Sequence, residues 1–408
     1  MPAQIGWIDF SPADHARVKT ILSLLRPEGR IDELGIGTIR DGMSDILFPG
    51  LSTIQTRAKY FFLVPYLISK YASLPKKKRG KRSVKDSMKN LENELVWELA
   101  EKYRGSEENG VIGISKKRGD PLVRLPSEIY WSGISTFGLI DNQGQSYAAY
   151  LKSVQKELLK KPERLTDDNE MDDADAGYEN ILHLKVPIQN DWDENINIDL
   201  TSQEAEFLKD AMMDKIGSLF SVLLKDDHIN NIFNLSNNYV QFVSNVAEDL
   251  FDESVKKVLI QAHDFAILIE GAHIIYNVAL QRKFHPSHSY NIEEVWNTWY
   301  SKFKVEMIDY KNFDIEEIMA YSHTTKPNTR SFIIAWWEKM QIDNIKIQEL
   351  IDIVTTQEHD VKKHKARLIK KTAEDVKPGV RIGLSMLNYR YLVAKNIIND
   401  ITKMTTHA

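Results

Sequence analysis

From Thr201 to Ile401 apolar residues recur at helical spacing with only short polar breaks. That periodicity limits what the chain can become more than any other feature, because each apolar stripe on a helix has to be buried against a neighbour. The segments 202–224, 239–262, 264–283, 291–309, 328–340, 345–356, 358–372 and 386–402 are expected to be helices. Thr201 followed by Glu204 is a capping-box pattern that opens the series. The expected fold class is mainly α. At 408 residues the chain exceeds the ~100–200 of an ordinary single domain, so a helical multi-domain protein is expected.

Before residue 201 the pattern is mixed. Val18, Ile21, Leu22 and Leu25 form one helical stripe, ended by Pro27-Glu28-Gly29. Thr38, with Asp41 three residues on, caps a short helix over 39–48 that Pro49-Gly50 breaks. Ser52 with Gln55 then opens a longer helix reaching Tyr71, bent at Pro65. Residues 91–103 are helical again. Val111–Ile114 and Leu122–Leu125 read as the strands of a small β-hairpin with Lys116, Lys117 and Arg118 at its tip. Pro126 starts another helix, which carries Tyr130, Trp131 and Ile134.

A net charge of −5 conceals an uneven distribution. Residues 1–165 hold 27 Lys and Arg against 19 Asp and Glu, whereas 166–210 hold 14 acidic residues and 2 basic ones. Three parts are therefore expected: a basic N-terminal domain over 1–165, an acidic linker or loop over 166–200, and a helical C-terminal domain over 201–408. Screening confines each charge to ~8–10 Å, so a basic region can attract a polyanion although the whole chain is anionic. The absence of cysteine removes disulfides, thiolate metal sites and cysteine nucleophiles. The longest uninterrupted apolar run, Phe61–Ile68, is far below the ~20 residues of a membrane span. The opening MPAQIGWIDFSPADH lacks the basic-then-apolar layout of a signal peptide, so a cytoplasmic protein without membrane contact is expected.

The stretch 38–60, TIRDGMSDILFPGLSTIQTRAKY, carries the most information about function. A short helix, a Pro-Gly turn and a second helix opening with Gln55, Thr56, Arg57 and Lys59 have the layout of a helix-turn-helix, whose second helix meets base edges and phosphates. The 111–125 hairpin would act as its wing, giving a winged helix-turn-helix. Candidate nucleic-acid-binding residues are Arg40, Gln55, Arg57, Lys59, Lys116, Lys117 and Arg118. The same pattern also fits an ordinary α-hairpin in which Arg57 pairs with Asp41 or Asp45. The basic run KKKRGKR at 76–82 is either a solvated loop or a phosphate contact. Lys362, Lys363, Lys365, Arg367, Lys370 and Lys371 form either a solvated helix or a second basic patch.

The helix expected over 263–280 is apolar apart from His263, Asp264, Glu270, His273 and Asn277. Helical spacing brings His263, Glu270 and His273 near one line. Glu-x-x-His is half of a carboxylate-bridged di-metal bundle, but no second copy occurs on a comparably apolar helix. Two alternatives follow: a hydrogen-bonded polar cluster in a helical core, or the carboxylate–histidine set of a metal-dependent nuclease or hydrolase. His285-Pro286-Ser287-His288 reads as a loop. No P-loop, Gly-x-Gly-x-x-Gly, His-Glu-x-x-His or Gly-x-Ser-x-Gly pattern occurs, so no cofactor and no metal are assigned.

IGWIDFS at 5–11, DELGIGTIRDGMSDILFPGLSTIQTRAKYF at 32–61, LPSEIYWSGISTFGLI at 125–140, EGAHIIYN at 270–277 and LNYRYLVAKNIINDI at 387–401 resemble an uncharacterised bacterial family of unknown function. The resemblance spans almost the whole chain. It implies a gene encoded beside helicases, methyltransferases and phospholipase-D-like nucleases in anti-phage defence islands. The expected function is thus a non-catalytic component of a bacterial anti-phage defence system. It would contact nucleic acid, DNA in the first place, through the basic N-terminal part. Its acidic and helical parts would dock partners such as a helicase or nuclease. A metal-dependent nuclease or hydrolase of the same system and a purely structural adaptor subunit are the alternatives.

Overall fold

The computed structural model describes residues 32–75, 79, 83–107, 110–160, 179–188, 192–289, 291–307, 313–322, 324–370, 372, 376–383 and 386–405. The chain is mainly helical, as the periodicity predicts. Packing divides it into two compact units, each discontinuous in sequence. The first takes in the described parts of Met1–Thr38, Ala266–Met319 and His323–Leu387; the second takes in those of Ile39–Phe265, Ala320–Ser322 and Asn388–Ala408. These units do not coincide with the segments 1–165, 166–200 and 201–408, which rest on charge balance rather than on packing. The stripe at 18–25 and most of the acidic stretch, 161–178, lie outside the described residues.

The second unit is built around the Tyr60–Ser73 helix, whose residues from Tyr60 to Ile68 are all buried. A helix apolar on every side belongs in the middle of a bundle, and this one packs against the Val84–Tyr103 and Pro126–Thr136 helices. Phe61 meets Tyr130 edge-on at 5.0 Å and Phe137 at 5.5 Å. The Tyr391–Thr405 helix lies against Ser202–Met213, and Tyr391 packs on Phe233 with ring centres 4.3 Å apart. Ser83, Thr201, Ser218, Asp226 and Asn238 each accept a backbone N–H at the start of a helix, which satisfies donors that the first turn leaves open.

One cap comes from a neighbouring helix. The Glu92 carboxylate accepts from the backbone N–H of Ser127 at 2.8 Å, from its hydroxyl at 2.9 Å and from the Tyr147 hydroxyl at 3.3 Å. Burial pushes the Glu92 carboxyl up to about 7, although the Ser127 and Tyr147 hydrogen bonds pull it down; the nearby Glu128 charge adds to the rise.

The Glu253–Phe284 helix gives its residues up to Phe265 to the second unit and the rest to the first. Among the described residues it is the one helix long and apolar enough to cross a membrane, and most of it is buried inside the protein. In the first unit the Pro327–Gln341 and Ile347–Lys362 helices pack together, burying Ile333, Trp336, Met340, Leu350 and Val354. The Trp336 indole N–H donates to the Leu268 carbonyl at 3.0 Å, so its polar edge is satisfied inside that core.

Several expected elements take a different form. Residues 51–59 are not helical, and the second helix of the 38–60 stretch begins at Tyr60. The backbone donors that a helix would use find tertiary acceptors instead. Thr56 N and Arg57 N donate to the Tyr130 hydroxyl at 2.8 and 3.1 Å, and Ala58 N donates to the Asp400 carboxylate at 2.8 Å. The expected β-hairpin at 111–125 is a series of turns, and no strand occurs among the described residues. An isolated antiparallel bridge joins Ile140 and Leu184. Gly113 and Gly119 hold φ at +68° and +94°, left-handed backbone that curls the chain before a strand can extend. Farther along, 239–262 and 264–283 become Tyr239–Asn245 and the long Glu253–Phe284 helix, and 345–356 joins the start of 358–372 in Ile347–Lys362.

Candidate functional site

In the second unit the Leu51–Lys59 segment is pinned inward. Gln55 is buried: its Oε1 accepts from Ser52 N at 3.1 Å, and its Nε2 donates to the Gly50 and Ile129 carbonyls at 3.2 and 3.3 Å. Arg57 Nε donates to both oxygens of Asp400 at 3.0 Å, and Nη2 donates to Asp199 at 2.9 Å. Its partners are therefore Asp400 and Asp199 rather than Asp41 or Asp45. Burial raises the Asp400 carboxyl while Arg57 and the Ala58 N–H lower it. Lys59 donates to both oxygens of Glu204 at 2.8 and 2.7 Å, and the Tyr66 hydroxyl donates to the same carboxylate at 2.8 Å. Glu204 also accepts from Thr201 N at 2.7 Å, completing the expected capping box. A charge this deep persists only when paired and hydrogen-bonded. Gln55, Arg57 and Lys59 thus hold the bundle together and do not face outward.

The other basic candidates divide. Arg40 is mostly buried and donates through Nε and Nη2 to the single oxygen Asp41 Oδ1 at 3.0 and 2.9 Å. Arg118 lies over the Trp97 ring and pairs with Glu94 and Glu101. Lys116 is half-buried and Lys117 exposed, and neither makes an ion pair among the described residues. Two lysines not singled out by the sequence join them. Tyr150, Leu151, Val154 and Leu158 bury one face of the Tyr147–Lys160 helix, which leaves Lys152 and Lys156 one turn apart on the outer face. In the run 76–82 only Arg79 lies within the described residues. In the first unit Lys362 and Arg367 pair with the buried Glu33, and the chain leaves the helix at Lys363, so the cluster at 362–371 is no continuous basic helix.

The first unit holds a cleft of about 520 Å³ between the Glu253–Phe284 and Ile292–Lys302 helices. Glu270, Ile274, Val295, Thr298, Trp299 and Lys302 line it. Burial raises the Glu270 carboxyl; Arg381 and the Trp299 indole lower it. Behind it His273 is fully buried, and burial holds its imidazole down at about 4, so the ring is neutral near pH 7; Asp32 opposes that shift and Arg381 adds to it. Among the described residues, both His273 ring nitrogens and Arg381 Nη2 are buried without a hydrogen-bond partner.

The family model described as a family of unknown function, DUF6361, matches residues 2–404. The chain belongs to this family. No curated protein and no solved structure matches it.

Of the polar residues expected on one line in this DUF6361 chain, Glu270 and His273 fall in the first unit and His263 in the second. His263 is bonded to Asp264 at 2.8 Å. Among the described residues no three His, Asp or Glu side chains gather as a metal site. His285 Nε2 lies 2.7 Å from the Val376 carbonyl oxygen, and this hydrogen bond anchors the 285–288 loop. Arg381, Asp32 and Trp299 escape the sequence reading, because they come from three distant stretches with no shared spacing. Gly271 is the one local signal: a Cβ there would stand 2.3–2.8 Å from the Trp299 ring. Gly271→Ala should therefore lose about 1–3 kcal/mol despite alanine's better helix propensity, because a rigid indole has to move. Denaturant unfolding with tryptophan emission checks this; an unchanged or stabilised protein would show that the ring is free to shift.

Proposed function

We propose that this protein is a non-catalytic component of a bacterial anti-phage defence system that contacts nucleic acid through exposed lysines of its second unit. The setting rests on the genomic company that the family resemblance implies. The contact surface rests on one observation: Lys117, Lys152 and Lys156 are exposed and make no ion pair among the described residues, whereas Arg40, Arg57, Lys59 and Arg118 are paired to carboxylates. Unpaired exposed lysines exchange counterions for phosphates without first breaking an internal bond. Half-buried Lys116 is the chain neighbour of Lys117.

Electrophoretic shift across a salt series tests this. The wild type should bind duplex DNA with an affinity that falls linearly on a log–log plot against salt. Lys117→Glu, Lys152→Glu and Lys156→Glu together should flatten the slope by roughly 2–3, since each phosphate that a lysine neutralises adds about 0.9 to it. No salt-dependent binding of the wild type to DNA or RNA would end the proposal and leave the structural adaptor.

A further inference from the structure

Two helices of the second unit bring a serine, a histidine and an aspartate into one hydrogen-bonding line. The Tyr239 hydroxyl donates to the Leu259 carbonyl at 2.9 Å, which fixes the Tyr239–Asn245 helix alongside the Glu253–Phe284 helix. Tyr239 is fully buried, so this anchor is held by packing as well. Roughly one turn farther along both helices, Ser244 Oγ stands 3.4 Å from His263 Nε2. The other ring nitrogen, Nδ1, lies 2.8 Å from Asp264 Oδ1. A carboxylate oxygen only accepts, so Nδ1 carries the ring proton and Nε2 turns its lone pair to the serine. The His263 and Asp264 side chains are mostly buried, whereas Ser244 is exposed and open to a reagent. At rest the Ser244 hydroxyl donates to the Val240 carbonyl at 2.9 Å. Rotation about the Cβ–Oγ bond redirects its hydrogen to Nε2.

We propose that Ser244 is a covalent acceptor for activated acyl groups, with His263 as its general base and Asp264 as the residue that positions the ring. A hydroxyl within reach of a base that a third group orients is the arrangement that makes serine a nucleophile, and the contact is often loose before a reagent binds. With an activated ester, Oγ attacks the acyl carbon and the Oγ–C bond forms as the Oγ proton passes to Nε2. The bond from the acyl carbon to the leaving oxygen then breaks, and that oxygen takes the proton from Nε2. The products are a serine ester and an alcohol. The proposal is of one covalent transfer without turnover, so it adds a modification site to a non-catalytic chain and is independent of the lysine surface proposed above.

The test incubates the full chain with p-nitrophenyl acetate and follows nitrophenol release together with peptide mass spectrometry. The wild type should release about one equivalent in a burst and carry the acetyl group on Ser244, as expected for a base-assisted nucleophile. Ser244→Ala alters only an exposed position and should lose the burst. His263→Gln should slow acetylation of Ser244 by at least about 100-fold, the lower end of what a positioned base contributes. In Asp264→Asn, NMR of labelled histidine ring nitrogens should show the His263 proton moved from Nδ1 towards Nε2, with slower acetylation; loss of packing alone would not exchange the two nitrogens. Acetyl groups on lysines but none on Ser244, a burst that survives in Ser244→Ala, or an unchanged rate in His263→Gln overturns the proposal.

Discussion

Replacing Glu204 with alanine is expected to cost the second unit about 3–5 kcal/mol, the scale for breaking a buried ion pair on one side. Glu204 is fully buried and Lys59 nearly so, and the carboxylate takes both lysine bonds, the Tyr66 hydroxyl and a backbone N–H of the cap. Truncation leaves an ammonium with no counter-charge and a helix without its capping box. Urea denaturation of the purified chain, followed by near-ultraviolet circular dichroism, measures the loss. Lys59→Met combined with Glu204→Leu should recover most of it, because an apolar pair of similar volume removes the stranded charge. A loss below about 1 kcal/mol in Glu204→Ala would mean that water reaches Lys59 and the network is not buried as described.

The second large effect depends on pH. Glu92 has its carboxyl raised from an ordinary 4.5 to about 7 by burial. A group whose folded pKa is raised holds its proton longer in the folded state, so its contribution to stability is largest below pH 4.5 and falls as pH climbs towards 7. At about 1.4 kcal/mol per pKa unit the fall amounts to about 3 kcal/mol. Glu92→Gln keeps an uncharged side chain of the same shape, with one oxygen for the Ser127 N–H. The stability of the variant minus that of the wild type should therefore rise by about that amount from acid to weakly alkaline pH. Taking the difference removes the opposite trend of His273, whose lowered pKa makes its contribution fall as pH drops. A difference that is flat with pH would show that the Glu92 carboxylate ionises normally.

Glu92 and Glu204 each tie two helices together through a carboxylate that caps or pairs across the bundle, and both are acidic residues on the buried faces of amphipathic helices. From sequence, Glu204 is legible as the third position of a capping box, because that partner is three residues away. Its second partner, Lys59, reads locally as a phosphate contact. Nothing local distinguishes a lysine whose charge meets solvent from one whose charge meets a glutamate 145 residues on. The same holds for Arg57, whose partners Asp199 and Asp400 lie far along the chain.

Family membership and the mainly helical class followed from residue order alone, since recurring motifs and a three-to-four-residue apolar period are properties of neighbours along the chain. So did the Thr201–Glu204 capping box, which needs only side-chain oxygens and backbone donors three residues apart. The tertiary structure alone decided where the charges go. It turned Gln55, Arg57 and Lys59 inward, put Lys152 and Lys156 on an outer face, and assembled Glu270, Trp299, Arg381 and His273 from separate stretches. Pairing energy in a low-dielectric interior depends on distance in space, and a linear order of residues does not contain that distance.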